Sequence, residues 1–502
     1  MIGRCRSVVL TGLTGHVVDV EAHVASGLPA FSIVGLPDAS LAEAKDRVRA
    51  AVASSGVDWP RHRITVNLSP ASLPKSGPAT DLAIAVAVLA AAGTVDAARA
   101  RDLVLLGELG LDGRVRPVRG VLPAVAAAVG AGAARIVVPA GNHAEAALVA
   151  GARVDGAVAL ATVLAALGAD AVPESMVPVP APVIRAAAAD PPDLSDVRGQ
   201  PGARRALEVA AAGGHHVLMI GPPGAGKTML AERLPGILPD LADDEAVRVT
   251  AVHSLVGAFD PAAGLMRRPP FEAPHHTASS AAIVGGGSGL ARPGAVSLAH
   301  GGVLFLDEAP EFSTRVLDTL RQPLERGEIV LHRAHGATRY PARFQLVLAA
   351  NPCPCGMFAG TGEGCTCASM VRRRYLGRLS GPLLDRVDIR AEVGAAARSD
   401  APGESTAAVA ARVATARESA RERLRPHGWS VGAEASGPWL RRVTSRAACD
   451  GLWRAVERGA LTARGFDRAL RLAWTLSDLD GATSPGVTHV AEALALRAGA
   501  GA

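Results

Sequence analysis

The chain has 502 residues, with 52 basic and 47 acidic side chains for a net charge of +5. It is therefore too long for a single hydrophobic core, and its charge permits a nucleic-acid partner without demanding one. The longest apolar stretch, residues 82–95, falls short of the roughly 20 residues that span a bilayer, which reads against a membrane partner and for a buried helix.

In chain order, the opening MIGRCRSVVLTGLTGHVVDVEAH alternates and lacks a long apolar run, so it reads as a strand of the fold rather than a signal peptide. A cytoplasmic protein is expected. Through residue 170, β-like runs at 7–10, 16–24, 64–68, 103–106 and 135–138 alternate with Ala-rich helical stretches, the pattern of an α/β domain. Residues 171–192 are rich in proline, which fixes φ and removes donors, and read as a linker. A second α/β domain is expected at 193–395, with a helix at 201–212, a strand at 216–220 and a helix from Lys227. After a polar break with Asp400, Pro402 and Gly403, helical stretches at 406–424, 439–458, 462–477 and 485–497 mark residues 396–502 as an all-helical domain.

Only three lysines occur, Lys45, Lys75 and Lys227, and the last lies in GPPGAGKT at 221–228. This is the phosphate-loop pattern G-x-x-x-x-G-K-[ST]. The small residues Gly221, Pro222, Pro223, Gly224, Ala225 and Gly226 let backbone N–H groups curl around a phosphate chain. Lys227 reaches the β/γ oxygens, the Thr228 hydroxyl holds Mg²⁺, and Met229 completes the ATP-binding set. Downstream, VLFLDE at 303–308 reads as a buried strand ending in two carboxylates, Asp307 for the metal and Glu308 for the attacking water. A third apolar strand at 344–350 ends at Asn351, whose amide suits a polar sensor of the γ-phosphate. Arg386, in LLDR, has three readings: charge neutralisation in a neighbour's site, a salt bridge to Asp385, or a nucleic-acid contact.

Cys353, Cys355, Cys365 and Cys367 form C-x-C, nine residues, C-x-C. Four thiolates in a short loop suit tetrahedral Zn²⁺, although zinc ribbons use C-x-x-C, so free thiols or a redox-sensitive loop stand beside the zinc reading. With only six cysteines, four of them clustered here, a reducing compartment is expected. Residues 328–341 read as a hairpin turning at His335-Gly336, whose Arg333, Arg339 and His335 suit phosphate contacts or ordinary solvated charge. His275 and His276 are adjacent, so on a regular element they face apart, which favours a structural or pore role over a shared metal.

Together these segments resemble an AAA+ ATPase on the magnesium-chelatase I-subunit and minichromosome-maintenance side of that superfamily. Closer still is the resemblance to the ComM (YifB) family of magnesium-chelatase-like proteins. It covers essentially the whole chain, through FEAPHHT at 271–277, AVSLAHGGVLFLDE at 295–308, LRQPLERGE at 320–328, NPCPCG at 351–356 and SGPLLDR at 380–386. The resemblance implies an AAA+ P-loop NTPase core with a C-terminal helical lid, Arg386 as an arginine finger acting in trans, and Arg464 as sensor 2, with Arg471 as fallback. It further implies pore loops at 272–289 and at the hairpin, and a homo-hexameric ring.

GELGLDGRVRPV at 107–118 makes the first domain similar to the Lon-protease-like (ribosomal S5 domain 2-like) fold. The serine place holds Ala79 and the lysine place lies near Leu122; without nucleophile or base, covalent catalysis has no agent, and a non-peptidase scaffold is expected. Lys75 lies nearby without a complete dyad. The family implies a DNA helicase promoting branch migration in recombination and natural transformation. A chelatase-type ATPase that remodels a protein partner is the alternative, and a nucleotide-gated scaffold a third.

Overall fold

The computed structural model describes residues 2–35, 39–73, 75, 77–172, 176–181, 192–287, 291–333, 336–358, 364–394 and 403–499. Most of the expected linker at 171–192 lies outside them, as do Ser76, the tip of the insertion at 288–290, the His335 turn residue, and the Asp400 and Pro402 break.

The first domain is a seven-stranded mixed sheet in the spatial order Ala30–Val34, Arg63–Ser69, Thr14–Ala25, Ile2–Thr11, Leu103–Leu105, Arg135–Pro139, Val154–Ala157. The five strands expected from alternation are present; the strands at 30–34 and 154–157 are additions. They are short, and the second carries Gly156 in place of a packing side chain, so neither leaves a period-2 signature. The apolar run expected as a buried helix is Asp81–Ala92, buried along its whole length to Ala91. Each buried Leu or Val contributes about 1.5–3 kcal/mol, which makes this helix the centre of the domain's core. Asp81 opens it at full burial, paired with Arg47 Nε at 2.7 Å.

The second domain is a five-stranded, all-parallel sheet ordered Phe271–Glu272, Val303–Leu306, Gln345–Ala350, Val217–Ile220, Ile389–Glu392. Its three central strands are almost wholly buried because helices cover both faces. One covering helix, Asp243–Val256, carries Asp243, Asp244 and Glu245 in its first turn, where the helix dipole favours anions, and ends at a left-handed Gly257. Ser254 on this helix docks against the first domain: its hydroxyl bonds Glu145, and its carbonyl accepts from the Gly120 N–H at 3.3 Å.

The C-terminal helices are Thr406–Leu424, Gly437–Val443, Arg446–Glu457, Ala463–Leu479 and Val487–Ala498. Their buried faces join one hydrophobic cluster with helices Pro201–Gly213 and Lys227–Ile237. No helix among the described residues is long and apolar enough to cross a membrane.

Candidate nucleotide-hydrolysis site

Register explains why distant segments meet. Strand Val217–Ile220 runs parallel to Gln345–Ala350 with Ile220 opposite Ala350, so Gly221 and Asn351 leave the sheet side by side. The neighbouring strand places Leu306 opposite Leu348, which brings Asp307 to the same edge. In open parallel sheets this carboxyl edge is where ligands bind.

The loop turns through left-handed Gly224 (φ 74°) and Gly226 (φ 91°), conformations that a side chain would strain. Helix Lys227–Ile237 starts there. Lys227 is buried, with Nζ 2.7 Å from the Gly221 carbonyl, 2.9 Å from that of Pro222 and 3.0 Å from Asn351 Oδ1. Burial pulls its ammonium below the ordinary lysine range, and the Asp307 and Glu308 carboxylates oppose that shift. Thr228 Oγ1 donates to Asp307 Oδ2 at 2.7 Å. A hydroxyl and a carboxylate converging on one point are the hard oxygen donors that Mg²⁺ takes from a protein, so the residues present fit that ion.

Glu308 has φ 49° and shares positive φ with only one other described non-glycine residue, Gln200 at φ 55°. Such strain costs of order 1–3 kcal/mol and persists where surrounding structure holds it. The Glu308 N–H bonds Asp307 Oδ1 at 2.9 Å, and its Oε2 lies 3.4 Å from His276 Nδ1. The expectation that His275 and His276 face apart fails here: their rings lie 4.1 Å apart at 34°. Residues 273–277 form an irregular turn rather than a strand or helix, so the alternation argument has no element to act on. His276 thus touches the carboxylate assigned to water, a role the sequence pattern did not reveal. Gln200 was missed as well. Its Nε2 donates to the Gly394 carbonyl at 2.6 Å, one residue past Val393, against which Gly221 packs.

The arginines lie elsewhere. Arg386 precedes strand Ile389–Glu392 and therefore sits at the amino edge of the sheet, while the phosphate loop follows the carboxyl edge. Four strand residues, about 13 Å, separate the two edges. Arg386 pairs with Glu325 and donates to the Pro382 carbonyl, whereas Asp385 pairs with Arg464 at 3.7 Å. Burial lowers the Arg386 pKa, and the nearby charges of Arg468, Arg321 and Arg464 add to the effect. Arg464 is 84% exposed. Arg471 instead donates to the Ala435 carbonyl at 2.7 Å and is half-buried, so Arg464 is the more exposed of the two sensor candidates.

Beneath them, buried Asp388 takes Arg468 Nη1 at 2.6 Å and His215 Nδ1 at 3.4 Å. His215 Nε2 reaches Thr475 at 2.8 Å, which ties this edge to helix Ala463–Leu479. Burial pushes the Asp388 carboxyl up, but the His215 hydrogen bond and the Arg468 and His216 charges outweigh it and hold the group well below the usual range.

The hairpin forms, from Glu328–Arg333 paired with Gly336–Pro341, but Gly336 stands opposite Arg333 as the first residue of the second strand and not in the turn where the sequence placed it. Arg339 pairs with Glu328 at 2.9 Å; His335 and the Arg333 side chain lie outside the described residues. In the first domain Ala79 and Val121 line a cavity of about 480 Å³ that Ser254 and Phe259 close from the second domain. Leu122 is buried with its N–H on Glu145 Oε1 at 3.0 Å. Lys75 is buried with its ammonium on the Pro70 carbonyl. No serine–lysine pair stands at these positions.

Known proteins resemble this chain in sequence. Residues 193–401 match the family described as Magnesium chelatase, subunit ChlI; residues 20–142 match Subunit ChlI of Mg-chelatase; residues 403–497 match Magnesium chelatase, subunit ChlI C-terminal. The chain is 42% identical to the uncharacterised protein YifB of Escherichia coli, over 97% of this chain and 95% of that one. It is 41% identical to the competence protein ComM of Haemophilus influenzae, over 97% and 96%. It is also 32% identical to Lon protease 2 of Bacillus subtilis over 158 residues, 29% of this chain and 27% of that one. With two such relatives spanning nearly its full length, the chain belongs to the ComM/YifB family of magnesium-chelatase-like proteins.

Proposed function

We propose that the protein is an ATP-hydrolysing AAA+ ring motor acting on DNA in the cytoplasm, a hexameric helicase that promotes branch migration in recombination and natural transformation. The observation that carries this reading is the division of the polar and charged groups between the two edges of one sheet. Lys227, Thr228, Asp307, Glu308 and Asn351 gather at the carboxyl edge, whereas Arg386 and Arg464 lie at the amino edge about 13 Å of strand away. Such a chain completes its site by stacking against a copy of itself.

Lys227 and the loop N–H groups bind the β/γ-phosphates, and Asn351 orients the attacking water with Glu308, which takes its proton. Thr228 and Asp307 would hold Mg²⁺, which when bound neutralises charge on the phosphate oxygens. Arg386 of the next subunit neutralises the charge that develops on the transferred group, with Arg464 beside it. ATP and Mg²⁺ are the cofactors of this reaction; the cysteine cluster is a further metal site argued below.

DNA as the substrate is supported by the relative named a competence protein and by the segments inserted around the central strands, which include hairpin 328–341. The chelatase description of the family favours one alternative, a ring that remodels a protein partner. ATPase assays with and without forked or single-stranded DNA separate the two. A DNA motor is stimulated, and the stimulation falls with salt as counterion release weakens phosphate contacts. Equal rates with and without DNA, together with no binding at low salt, overturn the motor in favour of the protein remodeller.

A further inference from the structure

The four cysteines belong to no step described above. All are free, and their sulfurs lie within 4.8 Å of one another. Cys353 Sγ is 3.3 Å from Cys355 Sγ and 3.6 Å from Cys365 Sγ, and Cys355 to Cys365 is 3.7 Å. A tetrahedral ion with metal–sulfur bonds of about 2.3 Å sets its sulfurs about 3.8 Å apart. The observed separations therefore match one small ion and are too tight for thiolates that flank a multi-iron cluster. The C-x-C spacing, shorter than in zinc ribbons, does not prevent convergence because the Cys353–Gly356 turn closes with a 2.9 Å bond from the Gly356 N–H to the Cys353 carbonyl, and Gly356 adopts φ 75°.

The cluster touches the nucleotide site at two points. Cys353 follows Asn351 by two residues, and Asn351 Oδ1 accepts from Lys227. Gly356 packs so closely on Pro223 of the phosphate loop that a Cβ there would overlap the proline ring. On the other side Arg372 Nη1 donates to the Cys367 carbonyl at 3.0 Å, with its guanidinium 4.0 Å above the Phe358 ring. A cation so placed suits the net −2 charge of four thiolates on one divalent ion.

We propose that Cys353, Cys355, Cys365 and Cys367 bind one Zn²⁺, and that this ion clips the loop carrying Asn351 against the phosphate loop, so that metal occupancy sets nucleotide affinity. On binding, the four thiols release their protons to solvent and no electron changes hands. The consequence for ATP rests on the nucleotide-site reading above; the metal site does not.

The test uses the full-length chain purified without added metal or chelator. Elemental analysis is expected to give one zinc per chain. Chelator-stripped protein, or the double variant Cys355→Ser/Cys367→Ser, is expected to keep its helical circular dichroism while its Kd for a fluorescent ATP analogue weakens about tenfold or more, as displaced positioning groups do. Zinc restores affinity to the stripped wild type only. Iron in place of zinc, or no metal as purified and no Zn²⁺ uptake under reducing conditions, overturns the site. Zinc present but nucleotide affinity unchanged on stripping overturns the clip. Because zinc content is read without nucleotide, wild-type protein that holds zinc yet binds no ATP overturns the nucleotide reading and the clip while leaving the metal site standing.

Discussion

The two edges of the five-stranded sheet carry opposite kinds of chemistry. At the carboxyl edge, Lys227, Thr228, Asp307 and Asn351 already bond one another at 2.7–3.0 Å. At the amino edge, Arg386 and Arg464 are held by Glu325 and Asp385, carboxylates of their own surface. On the proposed reading, the difference teaches that the chain carries a nearly complete hydrolytic site and, separately, the cations such a site lacks. In the proposed assembly, a repeated contact between unlike edges of identical subunits would join the two halves, and such head-to-tail contacts generate a ring when the rotation closes.

The strongest way to break this comparison is Arg386→Ala. If the arginine serves a neighbour, turnover falls by about 10³-fold or more while ATP still binds. Mixing this variant with Lys227→Ala then restores part of the activity, because some interfaces combine an intact loop with an intact arginine. Steady-state ATPase on mixed assemblies reads it, and no rescue at any ratio assigns Arg386 to its own subunit.

Glu308→Gln tests the carboxyl edge alone. Removing the proton acceptor is expected to cost about 10²–10⁴-fold in turnover, with ATP retained and the assembly trapped, as size-exclusion chromatography with ATP would show. Normal hydrolysis by that variant removes Glu308 from the mechanism.

Asp388→Ala sharpens the amino edge by stability rather than rate. It removes the buried carboxylate that Arg468 and His215 share, and breaking a buried pair costs about 3–5 kcal/mol. Calorimetry should show a large fall in Tm; a shift within error would mean that the buried network does not hold the lid.

The smallest effect is on pH. Burial, reinforced by Arg468, His215 and Arg386 against the opposing Asp388, pushes His216 down to about 4, and its Nδ1 accepts the Leu346 N–H at 3.0 Å, which requires the unprotonated nitrogen. Between about 4 and the ordinary histidine value of about 6.5, the unfolded chain binds a proton that the folded chain does not. Stability is therefore present above this window and falls as pH drops through it. Melts at pH 7 and pH 5 should show that loss, and His216→Gln should reduce it.

The placement of the phosphate-loop pattern, the Asp307/Glu308 pair and Asn351 at strand ends was readable because the strands that precede them announce themselves by apolar runs. Helix 81–92 and the C-terminal helices were readable for the same local reason. His276 against Glu308 was hidden, since an irregular turn carries no periodicity. Asp388 and its partners were hidden too, because Arg468 and His215 lie 80 and 173 residues away along the chain.

Sequence by itself therefore determined the groups available: one loop lysine, two carboxylates, an asparagine at a strand end, four clustered thiols and the arginine of LLDR. Tertiary structure alone decided which of them share a place. Parallel register brought Asn351 beside Gly221 and sent Arg386 to the far edge. A shared core joined the helices at 406–498 to the phosphate-loop helix, and a turn pressed the cysteine loop against Pro223. Residue type is chosen by local chemistry, whereas proximity is chosen by strand order and burial, which act between segments hundreds of residues apart.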